Sequence, residues 1–151
     1  MNRYIYTGIT LVILLAFGAN WTIKKAGLSH SLKSIKSVPH FSFINQNGNI
    51  FTEKKLINKI SILDFMFTNC PGPCPIMSKN MNELYKNYSN VDQVQFISVT
   101  VDPDNDDISK LKQYAESYGV YDEKWQFLTS DLNEIKTLKQ EGFMLYAGEL
   151  P

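Results

Sequence analysis

The sequence contains little cysteine and histidine and no excess of charge of either sign. Of its 151 residues, two are cysteine and two are histidine. A structural zinc site takes four such ligands and would need every one of them, and a disulfide can form in only one way. Fifteen basic and fifteen acidic residues cancel to a net charge of zero. No overall field therefore attracts nucleic acid, and no nucleic-acid partner is expected.

The N-terminal segment lacks charge altogether. From Tyr4 to Ile23 the sequence has no acidic or basic side chain, and a helix of that length would measure about 30 Å, the hydrocarbon thickness of a bilayer. We predict a transmembrane anchor or signal at residues 1–23, with an uncleaved anchor favoured. Residues 24–38, with four lysines and four serines, are predicted to be a basic tether that joins a membrane anchor to an extracytoplasmic domain.

Residues 39–151 alternate between strand and helix patterns. Asn47-Gly48 lies between two short apolar segments and predicts an N-terminal β-hairpin. The apolar run Ser61–Phe67 predicts a central strand that helices cover, and the helical spacing of apolar residues predicts a helix from about Cys74 to Tyr88. Further strands are predicted at Val94–Val101 and Trp125–Leu128, each followed by a helix. The alternation indicates an α/β fold.

Turn and cap residues predict where the two later helices begin and end. Asp106 or Asp107 is expected to cap the second helix, which Gly119 closes. Asp131 with Glu134 resembles a capping box for the third helix, which Gly142 ends. The acidic run that starts at Asp102 lacks the glycine and the glutamate of a calcium-binding loop, so capping is the preferred interpretation.

Both cysteines fall in one proline-rich motif, Cys70-Pro71-Gly72-Pro73-Cys74-Pro75. The motif is predicted to join a strand to a helix, and a helix N-terminus favours the thiolate, which is both nucleophile and metal ligand. Two soft thiolates suit Cu(I), whereas thiol-disulfide exchange needs the same two residues. Three residues separate the cysteines, one more than in thioredoxin-type reductants. The residues leave both functions open.

Four segments between about Phe41 and Pro151 carry a family likeness: Phe67-Thr68-Asn69-Cys70-Pro71, Cys74-Pro75, Val99-Thr100-Val101-Asp102-Pro103 with Asp106, and Trp125-Gln126-Phe127-Leu128-Thr129. They resemble the SCO/SenC copper chaperones. The resemblance implies a thioredoxin-like fold preceded by one transmembrane helix, and one copper ion bound by Cys70 and Cys74. It implies a metallochaperone rather than an enzyme, with the copper-bearing subunit of cytochrome c oxidase as its partner.

The sequence departs from this family at one ligand. The family's third copper ligand is a histidine downstream of the cysteines, and Pro151 comes before any such residue. We therefore expect the thioredoxin-like domain, residues 39–151, to be incomplete and to lack its last strands and helix. Two thiolates should bind Cu(I) and hold Cu(II) poorly. His30 and His40 are not assigned as ligands.

Two alternatives accompany the copper hypothesis. One is a membrane-anchored thiol-disulfide oxidoreductase that acts on cysteines of the oxidase copper site, with Cys70 attacking and Cys74 resolving. The other gives copper-binding roles to Met66, Met77 or Met81, which core packing explains more simply, or places Asp102 at the rim of the site. The domain is expected outside the cytoplasm, in a bacterial periplasm or at the cell surface rather than at a mitochondrial inner membrane.

Overall fold

The computed structural model describes residues 35–146 together with Tyr6, Gly8, Ile13 and Leu14, which are helical. The chain divides into two compact units, Met1–Ile35 and Lys36–Pro151. Most of the predicted membrane anchor and basic tether lies outside the described residues. Within the described part of the chain, no helix combines the length and apolar character that crossing a membrane requires.

The second unit is a mixed α/β sheet, as the alternating pattern predicts. Its sheet has the strand order β2-β1-β5-β4-β3. Strand β1 pairs antiparallel with β2 and β5, whereas β3, β4 and β5 run parallel. The elements are β1 (Ser42–Asn45), β2 (Ile50–Thr52), a 3-10 helix (Glu53–Leu56), β3 (Ile60–Met66), α1 (Cys74–Tyr88), β4 (Val94–Thr100), α2 (Ile108–Ser117), β5 (Trp125–Thr129), α3 (Leu132–Thr137) and a π-helical turn (Leu138–Gly142).

The N-terminal hairpin confirms the prediction at Asn47-Gly48. Gly48 has a φ of 79°, a left-handed conformation that costs glycine little. Its backbone N–H donates to the Asn45 carbonyl at 2.9 Å. The Asn45 side chain closes the turn, because its oxygen accepts from the backbone N–H groups of Asn47 and Asn49.

Two apolar clusters pack on opposite faces of the sheet. Alternate residues along a strand point to opposite faces, and β4 shows this directly, since Phe96 belongs to one cluster and Ile97 to the other. The first cluster joins the sheet to α1 and α2 through Met66, Cys74, Met81, Phe96, Leu111, Ala115, Trp125 and Phe127. The second joins it to α3 and the π-helical turn through Phe43, Phe51, Ile97, Val99, Leu128, Ile135 and Leu138.

Strand β3 lies at the edge of the described sheet, so the prediction of a central strand is wrong for the described residues. It pairs with β4 from Ile60 opposite Val94 to Met66 opposite Thr100, and no other described strand pairs with it. Only Met66 in this strand is fully buried. An apolar run reports contact with the layers above and below a sheet and gives no information about strand neighbours. The expected loss of the last strands stays a prediction.

The helix boundaries follow the predicted caps with two corrections. Asp107 caps α2, with its carboxylate accepting from the Lys110 backbone N–H at 2.8 Å, and Gly119 follows the helix with a φ of 75°. Asp106 is not a cap. Asp131 caps α3 through the Asn133 N–H, but Glu134 accepts from the Ser130 hydroxyl, so the pair does not form the reciprocal capping box.

Candidate metal centre

The two cysteines lie where β3 gives way to α1, as the sequence predicts. Cys70 is in the loop, and Cys74 is the first residue of α1. Pro73 occupies the N-cap position, and its carbonyl accepts from the backbone N–H groups of Ile76 and Met77 at 3.1 and 3.0 Å. Proline suits the first turn of a helix because its fixed φ is close to the helical value and its missing N–H has no partner there. Pro73 and Pro75 therefore favour a helix that begins at Cys74, between them.

The two thiols are free, and both cysteines pack in or against the first apolar cluster. A hydrogen bond from Cys74 to the Cys70 sulfur lowers the pKa of the Cys70 thiol, and backbone hydrogen bonds from Cys74 and Gly72 lower it further, against the opposing effect of desolvation. The Cys70 sulfur thus accepts from the first turn of α1, where backbone N–H groups lack helical partners. This arrangement favours a thiolate at Cys70.

Cys74 has the opposite electrostatic environment. Its side chain is 6% exposed and packs with Met66 and Met81 in the first apolar cluster. Burial raises the pKa of the Cys74 thiol, and the hydrogen bond and charge of Cys70 raise it further, while a backbone hydrogen bond from Phe67 lowers it. The pair therefore combines a partly exposed thiol of lowered pKa with a buried thiol of raised pKa.

The sequence on both sides of the two cysteines carries no charge. From residue 65 to residue 78 there is no acidic or basic side chain. Behind Cys74, the buried Ser78 hydroxyl is 2.9 Å from the Tyr114 hydroxyl, and burial raises the pKa of Tyr114, with a smaller contribution from Cys74. The sequence neighbours of each thiol, other than the partner cysteine, are therefore backbone amides and neutral side chains.

The other predicted ligand candidates lie elsewhere or are occupied. The exposed His40 ring contacts the Glu53 carboxylate at 2.9 Å, and His30 is outside the described residues. The Asp102 carboxylate accepts from the Asn105 side chain. Met66 and Met81 are buried in the core and Met77 is 37% exposed. Among residues 35–146, no group of three histidine, cysteine or acidic side chains could hold a metal ion.

Copper(I) fits the donor set that is present. Two sulfur ligands, one already favoured as thiolate, suit a soft monovalent cation that accepts low coordination numbers. Zinc takes four ligands in structural sites and three in catalytic sites, which the described residues do not bring together. Cys70 and Cys74 would hold the ion.

Sequence reasoning missed a buried contact between two of the resembling segments. Asp106 is fully buried, and its carboxylate accepts three hydrogen bonds: from the backbone N–H of Thr68 at 3.0 Å, and from the hydroxyls of Thr68 and Thr100 at 2.6 Å each. The residues were visible in the sequence, but adjacent Asp107 offered the simpler role of a cap. The signal in the sequence was that Asp106 stands next to Asp107, although one aspartate is enough to cap the helix.

Comparison with known proteins gives a consistent family. The SCO1/SenC family model matches residues 30–151. The SCO1 protein homolog of Bacillus subtilis (strain 168) is 39% identical over 94 residues, which are 61% of this chain and 48% of that protein. The chain thus spans about half the length of this relative.

Solved structures show the same likeness. BsSco, a member of the Sco family of cytochrome c oxidase assembly proteins with a disulfide switch, is 33% identical with a TM-score of 0.67, covering 74% of this chain and 67% of that one. A SCO1/SenC family lipoprotein from Bacillus anthracis str. Ames is 36% identical with a TM-score of 0.67, covering 75% and 69%. Bradyrhizobium japonicum ScoI with copper bound is 28% identical with a TM-score of 0.65, covering 76% and 71%.

These likenesses agree with the α/β sheet and with the thioredoxin-like fold implied by the sequence resemblance. The family model matches most of the chain, including both cysteines and the Asp106 segment. The chain belongs to the SCO1/SenC family.

Proposed function

We propose that this protein is a metallochaperone that binds one copper ion through Cys70 and Cys74 and delivers it to the copper-bearing subunit of cytochrome c oxidase. The observation that carries the proposal is the meeting of the two thiols at the start of α1, where both cysteines pack in or against the first apolar cluster and the neighbouring Cys74 lowers the pKa of Cys70. A copper-bound relative and a relative from a family of oxidase assembly proteins support it.

The difference in exposure between the two sulfurs suggests an order for copper release. Cys70 is partly exposed and Cys74 is buried, so an incoming ligand reaches the ion from the side of Cys70. The Cys70 sulfur is displaced first, and the backbone donors of Cys74 and Gly72 stabilise it as a thiolate once it is free. Cys74 then retains the ion until the acceptor has supplied a second ligand. Transfer is ligand exchange and needs no turnover chemistry.

Copper binding is tested by competition between the full chain in detergent and a Cu(I) chelator. We expect one Cu(I) per chain to be retained against the chelator, and we expect retention to disappear when Cys70 and Cys74 are both replaced by serine. A matched control is Met77→Leu, which keeps both thiols and removes a thioether on α1. A folded chain without thiol-dependent copper would rule the proposal out.

A second candidate is a thiol-disulfide oxidoreductase that reduces cysteines of the oxidase copper site. It is favoured by the lowered pKa of Cys70 beside a buried Cys74, and by the disulfide switch of BsSco. The Cys70 thiolate would attack a partner disulfide and release one partner thiolate. Cys74 would then attack the mixed disulfide, release the second partner thiol and leave Cys70–Cys74 oxidised by two electrons.

The second candidate is separated from the first by Cys74→Ser. Exchange predicts that this variant accumulates a mixed disulfide between Cys70 and an oxidised partner, because the resolving thiol is gone. Copper transfer predicts loss of copper without such an adduct. Mass spectrometry under non-reducing conditions measures both outcomes, and Cys70→Ser is the control that removes the attacking thiol.

We also propose that the domain acts outside the cytoplasm and is tethered to a membrane. The apolar run at residues 4–23 is long enough to span a bilayer as a helix, and one related structure is of a lipoprotein. Labelling of Cys70 in intact cells with a membrane-impermeant thiol reagent tests this. Labelling only after lysis would contradict it.

A further inference from the structure

The buried carboxylate of Asp106 is neither a ligand in the proposed copper pair nor the cap of α2, which is Asp107. Its side chain is fully buried, and its backbone N–H donates to the Asp102 carbonyl at 2.9 Å. A buried carboxylate is costly unless hydrogen bonds replace its hydration. Asp106 has three such bonds, all from threonines, so these bonds account for its presence in the core.

The three bonds join the ends of two neighbouring strands. Thr68 follows β3, and Thr100 is the last residue of β4, opposite Met66 in the parallel pairing. The Val101 N–H donates to the Met66 carbonyl at 2.8 Å, which closes the strand pair just before the loop. The Thr100 hydroxyl donates to Asp106 and also accepts from the Asp102 N–H at 3.0 Å. Asp106 thus links the loop after β3 to the loop after β4.

Thr68 lies inside the turn that carries the first cysteine. The Cys70 N–H donates to the Phe67 carbonyl at 3.3 Å, so Thr68 and Asn69 form the bend between them. Phe67 and Cys70 also pack against the first apolar cluster, which contains Cys74. A shift of this turn therefore moves Cys70 directly and changes the packing beside Cys74. Two of the three bonds to Asp106 hold Thr68, one through its backbone and one through its hydroxyl.

We propose that Asp106 is a positioning residue for the thiol pair: by holding Thr68 against Thr100, it fixes the turn Phe67–Cys70 so that the two sulfurs stay within reach of one ion or of each other. The copper part of this inference rests on the proposed function, but the approach of the two sulfurs does not. Loosening the turn adds conformations to the reduced loop, which lowers the effective concentration of one thiol at the other.

The Cys70–Cys74 disulfide equilibrium measures this approach without copper. In a buffer of oxidised and reduced dithiothreitol, the two thiols lose two electrons and two protons to oxidised dithiothreitol, which becomes the dithiol. For Asp106→Ala in the full chain, we expect the equilibrium constant for disulfide formation to fall about tenfold, which corresponds to ~30 mV for a two-electron couple. Cu(I) retention against a chelator should fall in the same variant.

Asp106→Asn is the conservative variant. One amide oxygen can accept from the Thr68 N–H and the Thr100 hydroxyl, while the amide nitrogen donates to the Thr68 hydroxyl, which rotates to accept. The turn is then still held, and the disulfide constant should return to within about threefold of the unsubstituted chain. Asp107→Ala is the matched control, because it removes a helix cap next door and should lower stability without changing the disulfide constant.

The results separate this inference from the proposed function. An unchanged disulfide constant in folded Asp106→Ala would overturn it, as would an equal shift in Asp107→Ala. A chain without thiol-dependent copper whose disulfide constant still falls in Asp106→Ala would refute the proposed function and support the inference. If Asp106→Ala does not fold, Thr68→Val removes one of the three bonds, and a fall of about threefold supports the inference whereas no change overturns it.

Discussion

Two aspartates beside the thiol strand have opposite environments. Asp106, after β4, is fully buried and accepts three hydrogen bonds. Asp64, within β3, has both carboxylate oxygens buried without a hydrogen-bond partner among the described residues. Burial raises the pKa of the Asp64 carboxyl, and the neighbouring Ser98 side chain partly opposes this rise. Neither Asp64 oxygen lies at hydrogen-bonding distance and angle from the Ser98 hydroxyl. One carboxylate stabilises a loop, whereas the other destabilises its strand.

The comparison shows that position in the sheet matters less than the donors nearby. Asp64 and Ser98 face each other in the β3–β4 pairing, and the Ser98 oxygen accepts from the Trp125 indole N–H at 2.9 Å. Thr68 and Thr100 instead direct their hydroxyls at Asp106. Asp106, the hydrogen-bonded carboxylate, lies at the end of the strands where the two thiols are. Asp64, the carboxylate without partners, lies within the edge strand β3.

The largest effect is expected from Asp106→Ala. Two hydroxyls and a backbone N–H lose a charged acceptor, and each such hydrogen bond contributes about 1.5–3 kcal/mol. Removing the carboxylate also removes its own cost of burial, so we expect the free energy of unfolding to fall by about 3–5 kcal/mol, less than the sum of the three bonds, measured by urea denaturation. Asp104→Ala is the control, since Asp104 is exposed in the same loop. A loss below about 1 kcal/mol would show that the network does not stabilise the fold.

Asp64→Asn should act in the opposite direction. A raised folded-state pKa means that the folded chain holds its proton more tightly than the unfolded chain, so Asp64 costs stability as pH rises past the unfolded value of 3.8. The amide carries no charge to bury, and we expect the free energy of unfolding to rise at pH 7 by roughly 1 kcal/mol, the order of the cost of one buried unsatisfied polar group. The gain should vanish as pH falls below 3.8. Urea denaturation at both pH values measures it, and an equal gain at both would contradict the charge explanation.

Thr68 allows a smaller test within the Asp106 network. Thr68→Val removes the hydroxyl and keeps the backbone N–H bond, so we expect a loss of about 1–2 kcal/mol. Thr68→Ser keeps the hydroxyl and should lose about half as much or less. Thermal denaturation of the two variants side by side gives the difference. If the serine variant is the less stable of the two, the methyl group matters more than the hydrogen bond.

The two cysteines of the unsubstituted chain should differ in reactivity. The Cys70 pKa is lowered and the Cys74 pKa is raised, so as pH increases Cys70 becomes a thiolate first. With limiting iodoacetamide at pH 7, we expect the singly alkylated product to carry its label on Cys70. The alkylation rate should reach half its maximum below pH 9, the ordinary thiol value. Peptide mapping that finds Cys74 labelled first would contradict the assigned environments.

The sequence allowed much of the fold to be predicted, because apolar spacing and turn residues act locally. The hairpin at Asn47-Gly48, the helix from Cys74 to Tyr88 and the Asp107 cap all depend on near neighbours in the chain. The neighbours of β3 could not be predicted from its apolar run, because strand pairing is non-local. Tyr85 packs against Trp125 and donates to Asp122, whereas Tyr88, three residues further along the same helix, is 47% exposed.

The candidate site was predictable in part for the same reason. Cys70 and Cys74 are close in sequence, and the motif itself indicates a strand-to-helix loop. Their unequal burial depends on the packing of Met66 and Met81, and the Asp106 bond to Thr68 spans 38 residues. Contacts at such separation require the fold to be known.

The most direct test is copper transfer from the full chain, loaded with Cu(I) in detergent, to the soluble domain of the oxidase copper-bearing subunit with its cysteines reduced. We predict that copper appears in the acceptor, that transfer needs both Cys70 and Cys74, and that the chain ends as free dithiol. If no copper moves, while an oxidised acceptor becomes reduced and the Cys70–Cys74 disulfide forms, the protein is a thiol-disulfide oxidoreductase and the copper account is wrong.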